Sequence, residues 1–521
     1  MSGSGDPAGG GGDFLRAAYS RLRGAVDAWD GDCTLPPPRA LEAATLALPR
    51  PGSPSYLVGM GAEATIGHLH GELLPALTGQ NLSGRYYGFV TGSTLPVAEA
   101  ADNMVTAMDQ NVQVHLPAQT VCTDVEDTAL AMLTSLLRLD PKAWPGRTFS
   151  TGATASNILG LACGREAIIA RRLAAAAAGE ASLGSGEDTS PDAVGKLGLL
   201  RACVKAGIKE IQVLTCAGHS SLSKAASIVG LGRDSVKELP LSAEEPYRLD
   251  IAAVEREAAR EGVATIISVS AGEVNTGRFA VVGRQDMEQL RAIADRQKAW
   301  IHVDGAFGIF ARALPKTSEF ARLHDAVSGL DLADSITGDG HKILNVPYDN
   351  GFFFARDATV QSQVFKNTNA AYLAPSGSGG APIQSPLNIG MENSRRFRAL
   401  PVYAVLVSEG REGMERMLAR MVRMARRVAA YVRASPHYEL LPDDGGEPDE
   451  ATHIVVLFKA KDEAVNRQLA HRINETRKMY VSPTVWRGMT CTRLAVSSWK
   501  VDVDKDMVVV EEVLGSIAQG Q

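Results

Sequence analysis

The chain has 521 residues, a hydrophobic fraction of 45%, a charged fraction of 21% and a net charge of −6 at pH 7. These values are typical of a globular protein with a sizeable core, and they give no reason to expect nucleic acid or an anionic membrane as a partner. The six cysteines are scattered without a C-x-x-C pair, and the N-terminus has neither a basic nor an apolar leader segment. We therefore expect a cytoplasmic protein with reduced thiols, and we predict no metal site.

The first 110 residues predict a tail followed by helices. Residues 1–12 are rich in Gly and Ser, which is typical of a flexible tail. Apolar residues then recur at helical spacing between Phe14 and Trp29, before a Pro-rich connection. We assign residues 13–110 to a helical segment that packs at a subunit interface.

A short run of small residues predicts a phosphate site. The sequence RTFSTGATASNILGLACGR has an extended run that ends at Gly152, and a helix follows from about Ala155. Exposed N–H groups and the positive end of the helix then point to one spot, and the small Ala153 and Thr154 let an anion approach the backbone. A plain helix cap is the alternative for such a turn. The aperiodic residues 174–195 predict a surface insertion.

Two further strands each end in a polar loop. Residues 211–215 predict a strand, and His219 lies in the turn before the next helix. Residues 263–277 predict a buried strand that ends in a Gly-rich loop with Glu273, and a helix then crosses over to a strand that ends at Asp304. This alternation predicts a parallel α/β sheet.

Asp304 in WIHVDGAFG and Lys342 in DSITGDGHK each follow an apolar run. In a doubly wound α/β fold the carboxyl ends of parallel strands face one crevice, so the two side chains are expected to converge there. This pair suits pyridoxal phosphate, because a lysine forms the Schiff base with its aldehyde and a carboxylate keeps its pyridine nitrogen protonated. The sequence therefore predicts a pyridoxal phosphate site.

WIHVDGAFG, GDGHK and the later SRRFRAL resemble the group II pyridoxal phosphate-dependent amino-acid decarboxylases, the family of aromatic-amino-acid, glutamate and tyrosine decarboxylases. The resemblance covers about residues 85–499. It implies the type I fold of pyridoxal phosphate enzymes, with a large mixed-sheet cofactor domain (residues 111–400) that has helices on both faces and a small α+β C-terminal domain (residues 401–521). It also implies a homodimer with shared active sites, and we expect the SRRFRAL arginines to tie parts of the fold together.

The resemblance also implies roles for single residues. His219 matches the imidazole that stacks on the cofactor ring, and His341 matches a phosphate ligand, with the Ser335 hydroxyl as a further candidate. Thr91 matches the lining of the substrate pocket. Tyr372 matches a loop tyrosine that reprotonates the substrate α-carbon in the neighbouring subunit's site.

Two residues depart from the family pattern. Glu273 stands where many decarboxylases have threonine, and our hypothesis is that it hydrogen-bonds His219 or tunes the substrate pocket. Asp339 stands where some relatives have asparagine, and a carboxylate there repels phosphate unless it turns away. Arg493 corresponds in general location to the carboxylate-binding arginine of pyridoxal phosphate aminotransferases.

These features together predict decarboxylation of an L-amino acid to the amine and carbon dioxide, with an aromatic substrate favoured. Another reaction on the same apparatus is the alternative: aldehyde synthesis, transamination or carbon–carbon lysis. A third hypothesis, a binding or structural subunit with this fold, is opposed by the intact Lys342, Asp304 and His219.

Overall fold

The computed structural model describes residues 11–29, 31, 33–180, 193–367, 383–443 and 448–520. Its N-terminal part contains the helices α1 (Gly11–Asp27), α2 (Pro38–Ala47), α3 (Ala62–His68) and α4 (Pro96–Ala107). The predicted tail at residues 1–12 is therefore wrong for Gly11 and Gly12, which belong to α1. None of the described helices is long and apolar enough to cross a membrane.

A large mixed sheet forms the centre of the molecule. Its strands are β2 (Gly146–Ser150), β3 (Glu210–Thr215), β4 (Val236–Glu238), β5 (Val263–Ser270), β6 (Trp300–Asp304), β7 (Ser335–Asp339) and β8 (Gly351–Ala355). They follow the order β2-β8-β7-β6-β5-β3-β4, and all neighbouring pairs from β7 to β4 are parallel. The pairs β7–β8 and β2–β8 are antiparallel.

Helices cover this sheet. They are α5 (Cys122–Leu136), α6 (Ala153–Glu180), α7 (Ala193–Leu197), α8 (Leu199–Lys205), α9 (Ser220–Ile228), α10 (Ile251–Ala258), α11 (Gly283–Gln297), α12 (Ala321–Ala326), α13 (Gly340–Ile343) and α14 (Ala358–Phe365). A two-residue ladder joins β1 (Asn111–Val112) to β9 (Arg395–Arg396).

Alternation along the strands places helices on both faces. On β6, Trp300 packs in a core with α6, whereas Ile301 and Val303 pack in a second core with α11. All eight positions of β5 are buried, as expected for a parallel strand covered on both sides. The predicted type I architecture is thereby confirmed.

The C-terminal part is a smaller α+β unit, as predicted. Helix α15 (Ala399–Ala434) leads into it and is interrupted at Gly410, which has a φ of 57°. Its sheet has the antiparallel order β10-β11-β13-β12, with β10 (Tyr438–Leu441), β11 (Val455–Ala460), β12 (Ser482–Trp486) and β13 (Met489–Ala495). The remaining helices are α16 (Pro448–Ala451), α17 (Glu463–Asn466), α18 (Leu469–Glu475) and α19 (Val503–Ala518).

The predicted insertion at residues 174–195 is only partly tested. Its first residues continue α6 to Glu180 and its last residues belong to α7, so both ends are helical rather than irregular. Residues 181–192 lie outside the described part of the chain.

The arginines of SRRFRAL lie between parts of the fold. Arg395 and Glu126 form a buried ion pair, and Arg396 reaches Asp102 on α4 at 2.8 Å. These contacts agree with the structural role that the sequence predicts for them.

Candidate active site

A cavity of about 810 Å³ opens where the carboxyl ends of β3, β5, β6 and β7 meet the small C-terminal unit. Its lining includes these residues that the sequence singles out: Ala153, Thr154, His219, Glu273, Asp304, Asp339, His341, Lys342 and Arg493. The predicted convergence of strand-end side chains is therefore present in the structure.

Lys342 and Asp339 meet at one end of this cavity. The Lys342 Nζ lies 2.8 Å from Asp339 Oδ2, and the Ala153 N–H donates to Asp339 Oδ1 at 2.5 Å. The Asp339 carboxylate is 2% exposed, so it is held between the lysine and the first turn of α6. The sequence leaves open whether this carboxylate turns away from the start of α6, and its contact with Ala153 shows that it does not.

His341 lies beside that carboxylate. Its Nδ1 accepts the Asn350 N–H at 3.2 Å, which leaves the proton of the neutral ring on Nε2, and Nε2 is 3.7 Å from Asp339 Oδ1. Burial lowers the pKa of His341, so the ring is neutral at pH 7. A neutral N–H donor therefore faces the end of the cavity where α6 begins.

Asp304, at the end of β6, and His219, after β3, form a second part of the lining. The Asn157 Nδ2 donates to Asp304 Oδ2 at 2.9 Å, and the Ala306 N–H donates to Oδ1 at 3.3 Å. His219 is the N-cap of α9, and its Nδ1 lies 2.8 Å from the Ser221 hydroxyl. Burial lowers the pKa of His219, which favours a neutral imidazole.

Glu273 does not bond His219, and this part of our hypothesis is wrong. Its two carboxylate oxygens accept the Asn275 N–H, the Thr276 N–H and the Thr276 hydroxyl, each at 2.8 Å. The side chain therefore fixes its own loop. Its place in the lining keeps open the second part, an effect on the substrate pocket.

Arg493 brings a buried cation to the cavity. Its guanidinium donates to the carbonyl oxygens of Val274 and Phe89. Burial lowers the pKa of Arg493 to about 10, while the charge of Glu273 acts in the opposite direction, so the group is protonated at neutral pH.

Three predicted site residues do not lie in the described lining. Ser335 is fully buried at the start of β7 and bonds His302 and Trp300, so the structure does not support it as a phosphate ligand. Thr91 is buried behind Tyr348, whose side chain it contacts, and donates to the Gly88 carbonyl. Tyr372 lies outside the described residues.

The sequence did not predict that aromatic side chains line the cavity. Phe89, Phe307 and Tyr348 all face the cavity, and Tyr348 stacks on His341 with ring centroids 4.3 Å apart. Tyr348 is six residues beyond Lys342, in a turn whose direction no periodic pattern predicts. Phe89 is 63% exposed at a φ of 56°, a conformation that the sequence does not predict for phenylalanine.

The donor set fits pyridoxal phosphate. An amine is present for the aldehyde carbon, a carboxylate for the ring nitrogen, an imidazole for the ring face, and a helix N-terminus with small residues for the phosphate. The Asp339 carboxylate, beside the start of α6, opposes an anion there. Fold and site together define a pyridoxal phosphate-dependent enzyme of fold type I.

Comparison with known proteins identifies the family. Residues 201–461 match the pyridoxal-dependent decarboxylase conserved domain. The chain belongs to this family and is a pyridoxal phosphate-dependent carboxy-lyase, as the sequence predicts.

Curated relatives agree with this result. Tryptophan decarboxylase 1 of Oryza sativa subsp. japonica is 27% identical over 453 residues, which are 84% of this chain and 80% of that protein. The aromatic-L-amino-acid decarboxylase of Sus scrofa is 25% identical and covers 86% of this chain and 84% of its own. A 3,4-dihydroxyphenylacetaldehyde synthase of Aedes aegypti is 26% identical over 42% of this chain and 40% of its own.

Solved structures share the fold. The Oryza sativa TDC with PLP and tryptamine superposes with a TM-score of 0.78 at 21% identity, and 99% of each chain is covered. The Rhodiola rosea 4-hydroxyphenylacetaldehyde synthase superposes with a TM-score of 0.74 at 16% identity, over 98% of this chain and 97% of its own.

Proposed function

We propose that the protein decarboxylates an L-amino acid, with an aromatic side chain favoured, to the amine and carbon dioxide. The observation that carries the proposal is that Lys342, Asp304, His219 and the start of α6 line one cavity in a member of this family. Bound pyridoxal phosphate supplies the electron sink into which the bond to the leaving carboxylate releases its electrons.

The residues of this chain would hold the cofactor at four points. Lys342 would bind its aldehyde carbon, and Asp304 would pair with the ring nitrogen. His219 would cover one face of the ring. Ala153 and Thr154 would bind the phosphate through backbone N–H groups, because the first N–H groups of a helix have no acceptor within it, and His341 would bind it through its ring N–H. For Ala153 this requires that the phosphate replace Asp339 as the acceptor of its N–H.

Arg493 is our candidate for orienting the substrate carboxylate. It is 4% exposed, lines the cavity and is protonated at neutral pH. A buried cation binds and orients a carboxylate more strongly than an exposed one, since solvent screens it less.

An aromatic substrate is supported by the cavity wall. Phe89, Phe307 and Tyr348 offer ring faces to the side chain of a bound amino acid, and aromatic pairs stabilise each other beyond the burial of their area. The names of the curated relatives, a tryptophan and an aromatic-L-amino-acid decarboxylase, favour the same class.

A homodimer would complete the site. The N-terminal helices and the turns between them expose large apolar side chains, among them Leu46, Leu57, Val58 and Met108. Patches of this kind mark protein–protein contacts, and we propose that residues 13–110 pack against a second copy. In that dimer, Tyr372 would reprotonate the substrate α-carbon in the partner's site. Light scattering of the purified protein tests the dimer.

The reaction is tested by its products. The protein loaded with pyridoxal phosphate is incubated with a pool of the common L-amino acids, and amines, aldehydes, keto acids and carbon dioxide are followed by mass spectrometry. We expect one aromatic amine with an equal amount of carbon dioxide. An aldehyde or a keto acid instead would replace this proposal with the alternative reaction, for which the aldehyde synthases among the relatives are the precedent.

One lysine variant tests the role of Lys342, and a second lysine variant is its control. Lys342→Ala removes the amine that would hold the cofactor, and we expect product formation to fall at least about 1,000-fold. Lys505→Ala removes a lysine whose side chain is 84% exposed on α19, and we expect no change. Equal activity of both variants would remove Lys342 from the proposal.

A further inference from the structure

A buried chain of hydrogen bonds lies behind Asp304. The Trp300 Nε1 donates to the Ser335 hydroxyl at 2.9 Å, and this hydroxyl lies 2.8 Å from His302 Nδ1. The His302 Nε2 lies 2.9 Å from Asn157 Oδ1, and the Asn157 Nδ2 reaches Asp304 Oδ2 at 2.9 Å. Ser335, His302 and Asn157 are all fully buried.

The carboxylate end of this chain and the neutral charge of His302 together fix the direction of every bond. A carboxylate only accepts, so Asn157 donates through Nδ2 to Asp304 and accepts through Oδ1 from the His302 Nε2–H. Burial lowers the pKa of His302 to about 4, so the ring is neutral at pH 7 and has no proton on Nδ1. The Ser335 hydroxyl therefore donates to His302 Nδ1 and accepts from the Trp300 indole N–H.

The same amide also reaches His219. The second N–H of Asn157 Nδ2 points to the Ser221 hydroxyl at 3.2 Å, and that hydroxyl lies 2.8 Å from His219 Nδ1. The Ser221 N–H donates to His219 Nδ1 as well, at 3.2 Å. Since Nδ1 accepts both bonds, the proton of His219 lies on Nε2.

Small residues of α6 make room for this arrangement. Ala153, Asn157, Gly160 and Gly164 lie on one face of the helix, at spacings of four, three and four residues. A Cβ on Gly160 would overlap the His302 ring, and one on Gly164 would lie 3.0 Å from Trp300 Cδ1. The helix is thereby seated directly on β6, with Asn157 in reach of Asp304.

We infer that Asn157 is a positioning residue. Its amide, which is held by His302, orients the Asp304 carboxylate and also orients the Ser221 hydroxyl, which together with the Ser221 N–H favours the Nε2 tautomer of His219. This inference rests on the proposed roles of Asp304 and His219. Asn157 contributes two donors to two different side chains, so its loss would disturb the ring-nitrogen partner and the ring-stacking imidazole together.

Nitrogen-15 NMR of the histidine side chains tests this inference without any substrate or cofactor. The unliganded protein is compared with Asn157→Leu, which has the same branching of side-chain heavy atoms and no hydrogen-bonding group. We expect His219 in the parent protein to be the tautomer with the proton on Nε2. In the variant the Ser221 hydroxyl loses the donor that orients it and becomes free to accept from Nδ1, so we expect a larger fraction of the Nδ1-protonated tautomer, although the Ser221 N–H remains. The His219→Asn spectrum assigns the signal.

Cofactor affinity provides a second measurement. We expect the dissociation constant for pyridoxal phosphate to rise about tenfold in Asn157→Leu, because the Asp304 carboxylate loses a buried donor. The matched control is Gln212→Leu, which removes a fully buried amide from β3 of the same sheet, where it bonds the Glu257 carbonyl and Thr265. We expect this control to lose thermal stability and to keep both the tautomer and the affinity.

Two results would overturn the inference. One is an Asn157→Leu protein that is destabilised like the control and keeps the parent tautomer and affinity. If Asn157→Leu does not fold, Asn157→Asp replaces it, since it keeps the acceptor for His302 and loses the donors; an unchanged His219 tautomer there is the second result. A parent protein that fails to bind pyridoxal phosphate would contradict the proposed function but leave the tautomer test intact.

Discussion

Two parts of the cavity lining, around Asp304 and around Asp339, hold a buried carboxylate in different ways; we call them the Asp304 end and the Asp339 end. At the Asp304 end, one carboxylate receives a neutral amide that is itself oriented by a buried histidine, a serine and a tryptophan. At the Asp339 end, a carboxylate is paired directly with Lys342 and occupies an N–H of the first turn of α6. The Asp304 carboxylate is therefore oriented by hydrogen bonds from neutral groups, and the Asp339 carboxylate by its attraction to the Lys342 ammonium.

This difference predicts which conditions disturb each end of the site. A directed chain of neutral groups is disturbed when one member gains a proton: a protonated His302 would donate from Nδ1 to the Ser335 hydroxyl, which reverses that bond, and would carry a buried charge. An ion pair is weakened when another ion binds nearby, because either partner can then pair with that ion instead. The Asp304 end should therefore respond to pH, and the Asp339 end to ions and to the charge of residue 339.

The largest effect is expected from acid at the Asp304 end. Burial lowers the pKa of His302 from 6.5 to about 4, so the unfolded chain takes up this proton before the folded one as the pH falls. Its contribution to stability is complete above pH 6.5 and is lost between pH 6.5 and about 4. Between pH 7 and pH 5 the loss through this residue is about 2 kcal/mol.

Urea unfolding of the parent protein and of His302→Gln at pH 7 and pH 5 measures this loss. Glutamine retains one donor and one acceptor but does not titrate, so we expect the variant to lose about 2 kcal/mol less stability over this interval. All other titrating groups, including the buried His453, are common to both proteins. Equal losses in the two proteins would mean that His302 is not neutral in the fold.

A smaller effect is expected at the Asp339 end. Asp339→Asn keeps an oxygen for the Ala153 N–H and removes one negative charge from the phosphate end, so the affinity for pyridoxal phosphate should rise about tenfold. Titration of the cofactor-free protein measures it. Asp349→Asn, which removes a carboxylate paired with Arg398, is the control and should leave the affinity unchanged. Weaker binding by Asp339→Asn would show that the carboxylate supports the cofactor.

The smallest effect is expected for Tyr348, one of the aromatic residues that line the cavity. Tyr348→Phe removes a hydroxyl next to Thr91 and keeps the ring that stacks on His341. We expect KM for an aromatic amino acid to rise about threefold with kcat unchanged, which corresponds to one modest hydrogen bond. Tyr431→Phe on α15 is the control. A large loss of kcat in Tyr348→Phe would instead assign the hydroxyl to proton transfer.

The sequence is sufficient to predict those site residues that follow strands. Asp304 and Lys342 come after apolar runs, and the ends of parallel strands meet at one edge of a sheet, so their convergence follows from topology alone. Ser335 is close to Lys342 in sequence but not in the cavity, because its hydroxyl bonds Trp300 and His302 at the other end of β7. Four residues of strand separate it from Asp339, about 13 Å at the rise of an extended chain.

The groups behind the site could not be predicted in the same way. An asparagine inside a helix and a histidine inside a strand have no periodic signature of their own, and their meeting depends on how α6 is seated on β6. The available signals are indirect. Asn157 is one turn after Ala153, His302 is two residues before Asp304 and so on the same face, and Gly160 and Gly164 predict a close approach of the helix.

The packing of α6 on β6 also fixes the distance between two positions that face the site. Ala153, in the proposed phosphate site, and Asn157, which bonds Asp304, lie on one helix, four residues or about 6 Å apart along its axis. In the proposed binding mode this spacing would help to set the distance between the group that holds the phosphate and the carboxylate that pairs with the ring nitrogen. An analogue with one extra carbon between its anion and its ring nitrogen would then satisfy only one of the two, so the helix would make the protein selective for the size of its cofactor.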